Sequence, residues 1–240
     1  MLSYDKKCLI ICELANISKK QKKNNNSMDE EIILQIHTIM GVVVFLTGLI
    51  QLLLKKEGSR HRLIGQVYLF SWLFLLLSGA CLTGLIITIV GVFGFYFALT
   101  GSRIGRLKNK PISWFEKTIF LIGGLAAIAL LYYAVVLYLK GQQSWPIILA
   151  VFGVIFLWTT TGDICKYILK KPFKKQIYGK SDWVFEHFTR MSISFIAAVT
   201  AFTSIQNVFQ NNTLNFLLPT VIGTILIRIS TKKYKKKLLK

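Results

Sequence analysis

Long apolar blocks separated by short clusters of Lys and Arg are the feature that most constrains this chain. Residues 32 to 54 (IILQIHTIMGVVVFLTGLIQLLL) form the first block. At 1.5 Å per residue this block is long enough to cross a hydrocarbon layer of about 30 Å. Residues 63 to 102 are almost continuously apolar and too long for one span, so they predict two tight spans separated near Thr83-Gly84. A fourth span is expected from about Lys117 to Leu139, a fifth from Ile147 to Leu169, a sixth from Val184 to Gln206, and a short seventh from Leu214 to Ile229. The expected architecture is an all-α polytopic transmembrane bundle of about seven spans.

Composition supports this reading. The chain is 53% hydrophobic yet carries 30 Lys and Arg in 240 residues, for a net charge of +20. A soluble domain of this size has too little interior for so much apolar surface. Such a charge on a soluble protein would suggest nucleic acid. Here the cations cap apolar blocks, where they meet anionic lipid headgroups and set topology, so the expected partner is the bilayer and not nucleic acid.

The basic residues occupy alternate connections. Lys55, Lys56, Arg60 and Arg62 follow the first span, and Arg103, Arg106, Lys108 and Lys110 follow the third. Lys170, Lys171, Lys174, Lys175 and Lys180 follow the fifth, and the tail over 231–240 holds six more Lys. The remaining connections between spans hold only Lys140. The positive-inside rule then places the N-terminus outside and the C-terminus in the cytoplasm, in a cell membrane. Residues 1–27 run against this pattern with Lys6, Lys7, Lys19, Lys20, Lys22 and Lys23. The stretch KKQKKNNN reads as disordered, and Met28 followed by Asp29-Glu30-Glu31 reads as the true start. The expected organisation is an extension over 1–27, a membrane domain over 28–230 and a basic cytoplasmic tail over 231–240. Cys8, Cys12, Cys81 and Cys165 give no framework of paired spacings, and all four read as free thiols.

Ionisable groups inside spans are costly and mark candidate sites. His37 lies near the outer end of the first span and shares a face with Gly41, Val44, Gly48 and Gln51 by helical spacing. Small residues on a face admit a neighbouring helix, so His37 should face protein, either as a neutral histidine bonded to another helix or as an outer polar site. His61-Arg62 opens the second span, and His61, Gly65, Tyr68 and Trp72 form one stripe. In the sixth span His187, Arg190, Ser194, Ala198 and Ala201 share a face. Arg190 then needs an acceptor. Asp163, near the cytoplasmic end of the fifth span, supplies one unless it pairs locally with Lys166. His61, Arg62, Arg103, Asp163, His187 and Arg190 are therefore expected to gather in one cytoplasmic-side, ligand-binding pocket.

These motifs resemble a family of bacterial multi-pass membrane proteins that form a domain of unknown function. The likeness lies in His37-x3-Gly41 with Gly48, His61-Arg62-x2-Gly65 and His187-x2-Arg190-Met191, followed by Ala197-Ala198-Val199-Thr200-Ala201-Phe202. It extends to Pro219-Thr220-Val221-Ile222-Gly223-Thr224 and covers about residues 32 to 230. Many members carry Trp where this chain has Arg190, which resembles a bacterial subgroup with H-x2-R-M. The resemblance implies fold and membrane location and no reaction.

Three functional readings follow. The first is a non-enzymatic protein whose pocket binds an anionic ligand or lipid headgroup. The second is a b-type haem protein with histidine axial ligands, favoured by His61 and His187 lying on the same side of the membrane. Two things count against it: no span carries two histidines, and His37 and His187 are too far apart along the membrane normal to share an iron. The third is a transporter with Asp163 and the histidines as a relay, against which no internal repeat is visible. No P-loop, hydrolase elbow or HExxH is present.

Overall fold

A computed structural model of the chain describes residues 29–52, 58–171 and 181–238. Among these residues there is no strand, and seven helices are long and apolar enough to span a membrane. They are α1 (Asp29–Leu52), α2 (Ser59–Leu82), α3 (Leu85–Leu107), α4 (Trp114–Leu139), α5 (Ser144–Asp163), α6 (Asp182–Ile205) and α7 (Asn212–Leu238). A π-helical turn, Ile164–Ile168, continues α5. The described residues thus form an all-α, multi-pass membrane bundle of seven spans. Its outer faces carry Leu, Ile, Val and Phe in exposed positions along α1, α2, α4 and α7, a belt suited to lipid and not to water.

The paired second and third spans separate where expected, with α2 ending at Leu82 and α3 starting at Leu85. Two boundaries shift and one helix changes type near its end. The fourth helix begins at Trp114 and so takes in Glu116. The seventh is not short: it runs 27 residues through Pro219 into the basic tail, so most of 231–240 is helix rather than a separate segment. The fifth widens into the π turn before it ends. The expectations about residues 1–27, including Cys8 and Cys12, and about Lys55, Lys56, Lys174, Lys175 and Lys180 lie outside the described residues. Cys81 and Cys165 are free thiols.

Helix α3 is the shared wall of the bundle, touching α2, α4, α5 and α6. One of its faces is aromatic. Phe93 and Tyr96 meet Phe152 and Phe156 of α5 edge-to-face, Phe97 packs tilted against Phe156, and Phe216 of α7 closes the cluster. The other face is small. Gly94 lies under the Trp72 ring, Gly101 against Arg190 and Met191, and Gly105 against His187. This Gly94-x3-Ala98-x2-Gly101-x3-Gly105 face lets α2 and α6 approach closely, as small residues do between membrane helices. Helix α1 fits between α2 and α6, with Gly48 under Phe195 and Tyr68. Tyr68 donates to Ser194 Oγ at 2.7 Å, because the Ser194 hydroxyl is itself committed to the Met191 carbonyl.

Two polar networks mark opposite ends. At the α6–α7 turn, fully buried Asn215 accepts from the Phe209 amide at 2.9 Å and donates to Asn207 at 2.8 Å. The other end, where α2 and α6 start and α3 and α5 finish, carries Arg60, Arg62, Arg103, Arg106, Lys108, Lys170 and Lys171 and is hereafter the basic end.

Candidate functional site

The basic end holds two distinct polar assemblies rather than the single pocket expected from the sequence. The first is closed. Arg190 Nη1 donates to Asp163 Oδ2 at 2.9 Å, and Nη2 donates to Asp163 Oδ1, a bidentate pair. Arg190 Nη1 also reaches Thr100 Oγ1 at 3.0 Å, and the Tyr96 hydroxyl donates to Asp163 Oδ2 at 2.5 Å. Both charged side chains are nearly solvent-free, at 5% exposure for Asp163 and 8% for Arg190. A pair at this depth survives only when its remaining polar atoms are satisfied, and Tyr96 and Thr100 do that here. This assembly ties α3, α5 and α6 together and does not line the cavity beside it.

Lys166 does not compete for Asp163. It pairs with Glu186 of α6, and the Tyr167 hydroxyl donates to the same carboxylate at 2.7 Å. The π turn accounts for the change. A wider turn breaks the i,i+3 register that an α-helix would impose on Asp163 and Lys166. Arg103 is likewise engaged elsewhere: its Nε donates to Glu116 Oε1 at 2.6 Å, while the Ser113 amide and hydroxyl donate to Glu116 Oε2. This capping box starts α4 and fastens it to the end of α3. Arg103, Asp163 and Arg190 are thus held in ion pairs between helices and do not line the cavity described next. Ala201, expected on the packed face of α6, is exposed.

The second assembly is open. A cavity of about 840 Å³ lies between α1, α2, α3, α6 and the end of α7 and reaches the basic end. His61, Arg62 and His187 line it as a set, joined by Arg106 and Lys108 of the basic connection after α3. Tyr68, Phe188 and Phe195 supply apolar wall. The two histidine rings approach each other with centres 6.2 Å apart and planes at 75°. His61 sits in the first turn of α2, where Gln51 Nε2 of α1 donates to its carbonyl at 2.7 Å. His187 is anchored through Nδ1, which donates to the Gly101 carbonyl at 2.8 Å. That bond selects the tautomer whose Nε2 carries the lone pair. Lys108 closes one side over the Trp183 ring at 5.4 Å.

His37 lies apart, at the opposite end, where it meets Ser78 Oγ at 3.0 Å. The Ser78 hydroxyl donates to the Phe74 carbonyl, so His37 Nδ1–H is the donor. It is a half-buried histidine bonded to a neighbouring helix, facing protein as its spacing implied.

Among the described residues, no group of three or more His, Cys, Asp and Glu is assembled around a common point. Comparison of the chain with protein-family models, curated proteins and solved structures gives no match. The resemblance noted above therefore rests on its motifs alone.

Proposed function

We propose that this membrane protein has a binding function: its basic-end cavity holds an anionic amphipathic molecule, apolar body inward and acidic groups at the rim. The observation that carries this reading is the arrangement of the cavity itself. Its wall is aromatic and aliphatic, and its cations, Arg62, Arg106 and Lys108, gather at the basic end. Its size falls in the range of ordinary ligand pockets, about 300–1,000 Å³. Arginine at such a rim suits carboxylate or phosphate groups. The orientation belongs to the same reading: the basic end faces the cytoplasm of a cell membrane, where anionic headgroups attract it.

Native mass spectrometry of the detergent-released protein tests the binding. An acidic amphiphile should be retained in preference to a zwitterionic one. Arg62→Gln combined with Arg106→Gln should abolish the preference. Equal retention of both amphiphiles, or indifference to the rim substitutions, would sink the reading. Reporter fusions placed after Gly141 and after Lys240 should report opposite sides of the membrane, and the same side for both would refute the orientation.

A further inference from the structure

We propose that His61 and His187 are the two axial ligands of a b-type haem seated in the basic-end cavity. The inference rests on the ligand-binding reading above and names the ligand. Three observations support it independently.

The first is separation. A metal–imidazole bond of about 2 Å, plus about 1 Å from nitrogen to ring centre, puts two imidazoles sharing one metal about 6 Å apart between centres. The His61 and His187 ring centres are 6.2 Å apart. Each ring can rotate about its own metal–nitrogen axis, so planes at 75° suit such a pair.

The second is the way His187 is held. A metal-binding histidine almost always donates its other ring N–H to a carbonyl or carboxylate, which fixes the tautomer and aims the lone pair. His187 Nδ1 makes that bond to the Gly101 carbonyl, leaving Nε2 as the basic nitrogen. Gly105 makes the approach possible, since a Cβ there would lie 2.7 Å from His187 Nδ1.

The third is the ligand count and the surroundings. Two imidazoles are too few for a structural or catalytic zinc site, which takes at least three protein ligands. They are the number needed when a porphyrin supplies the four equatorial nitrogens. Haem is also a flat apolar body with two carboxylates at one edge. The cavity offers Tyr68, Phe188 and Phe195 to the body, and Arg62, Arg106 and Lys108 to the carboxylates. An edge-to-face contact between two histidines would account for neither the cavity nor its basic rim. The two ligands come from α2 and α6, so no helix needs to carry both. His37, at the opposite end, takes no part.

The test uses the full chain, purified in detergent from cells supplied with a haem precursor, with hemin titrated into any haem-free fraction. About one haem per chain should bind, with a six-coordinate low-spin spectrum that sharpens on reduction with dithionite. His61→Ala and His187→Ala should each lower bound haem by at least about tenfold or give a five-coordinate spectrum. Imidazole added to the buffer should restore the low-spin form, which separates ligand loss from misfolding. If the alanine variants do not accumulate, His61→Met and His187→Met decide, because a retained but different ligand should shift the spectrum rather than abolish it. His37→Ala should leave the spectrum unchanged. A wild-type protein that gives no saturable absorbance change with hemin, or alanine variants that keep the low-spin spectrum, would overturn the inference. Hemin failing while an acidic phospholipid is still retained through Arg62 and Arg106 would remove the haem and leave the cavity reading standing. Failure of both would remove both.

Discussion

The two faces of α3 build two kinds of membrane-protein interior. On the α4–α5–α7 side, Phe93, Tyr96, Phe97, Phe152 and Phe156 interlock ring against ring, and Phe97 and Phe156 are fully buried. On the α1–α2–α6 side, Gly94, Ala98, Gly101 and Gly105 bring backbones close together, and toward the basic end a cavity opens beside them. In lipid, helices gain little from hydrophobic transfer against each other and associate through packing and hydrogen bonds. Large interlocked rings supply that packing on one side. On the other, small residues allow close approach at some levels and leave room for a ligand at another. The lesson is that one helix can serve both purposes when its large and small residues segregate by face.

The largest expected effect lies where the two sides meet. Asp163→Asn strands the Arg190 charge at 8% exposure, and Arg190→Gln strands Asp163. Each should cost about 3–5 kcal/mol, less if water enters. The double variant should recover part of the loss because neither charge is left alone. Thermal unfolding in detergent measures all three. Simple additivity would mean that the pair does not bind the two sides together.

Next in size is a substitution that separates the two faces of α3. Phe156→Ala should destabilise by about 3 kcal/mol by opening a void among packed rings, with no change in what the cavity retains. Gly105→Ala should cost about 1–3 kcal/mol as overpacking. It should also displace the His187 ring and weaken retention of the bound amphiphile. Paired unfolding and native mass spectrometry read both quantities. If Phe156→Ala empties the cavity as effectively as Gly105→Ala, the two sides are one cooperative unit and the comparison fails.

A smaller effect is expected at Tyr68, which sits on the cavity wall and donates to Ser194. Tyr68→Phe removes one buried hydrogen bond while keeping the ring, for about 1 kcal/mol. Because the Ser194 hydroxyl is still bonded to the Met191 carbonyl, little is left unsatisfied. A loss as large as that of Asp163→Asn would show that the open side is as tightly constrained as the aromatic one.

Spans and the α2–α3 break were legible because they depend on local composition and length, which the chain carries in runs of twenty or more residues. The Asp163–Arg190 pair was legible for a different reason: a buried guanidinium must find an acceptor, and few carboxylates lie at the right depth. What was not legible depends on how helices are rotated against each other. Nothing in the spacing of His61 and His187 shows that they approach each other, since they lie on α2 and α6 and meet only after packing. The π turn is a local departure from the α register, so Lys166 looked like a neighbour of Asp163 when it reaches Glu186 instead. Glu116 falls just outside a fourth span read from Lys117, because the apolar run begins there while the helix begins three residues earlier, at Trp114. Two signals were present and unread. Tyr96, Thr100 and Arg103 form a polar stripe at i, i+4 and i+7 on α3. Gly94, Ala98, Gly101 and Gly105 form a small-residue stripe on the same helix.

The smallest expected effect concerns the Lys166–Glu186 pair, which also joins the two sides, since Lys166 extends α5 and Glu186 immediately precedes His187. Its side chains are 22% and 28% exposed, so both charges are partly solvated. A pair in that setting contributes about 0.2–1 kcal/mol. Lys166→Met also leaves Glu186 with the Tyr167 hydroxyl at 2.7 Å, so the carboxylate is not stranded. The substitution should therefore lower the unfolding temperature only slightly, far less than Asp163→Asn at the other bridge between the same helices. Its sharper readout is ligand retention. If the π turn holds the start of α6 in place, releasing Glu186 should loosen His187 and weaken binding in the cavity more than it lowers stability. Unchanged retention would assign the positioning of His187 to the Gly101 carbonyl and the glycine face of α3 alone. A stability loss matching that of Asp163→Asn would mean that burial does not rank these two ion pairs.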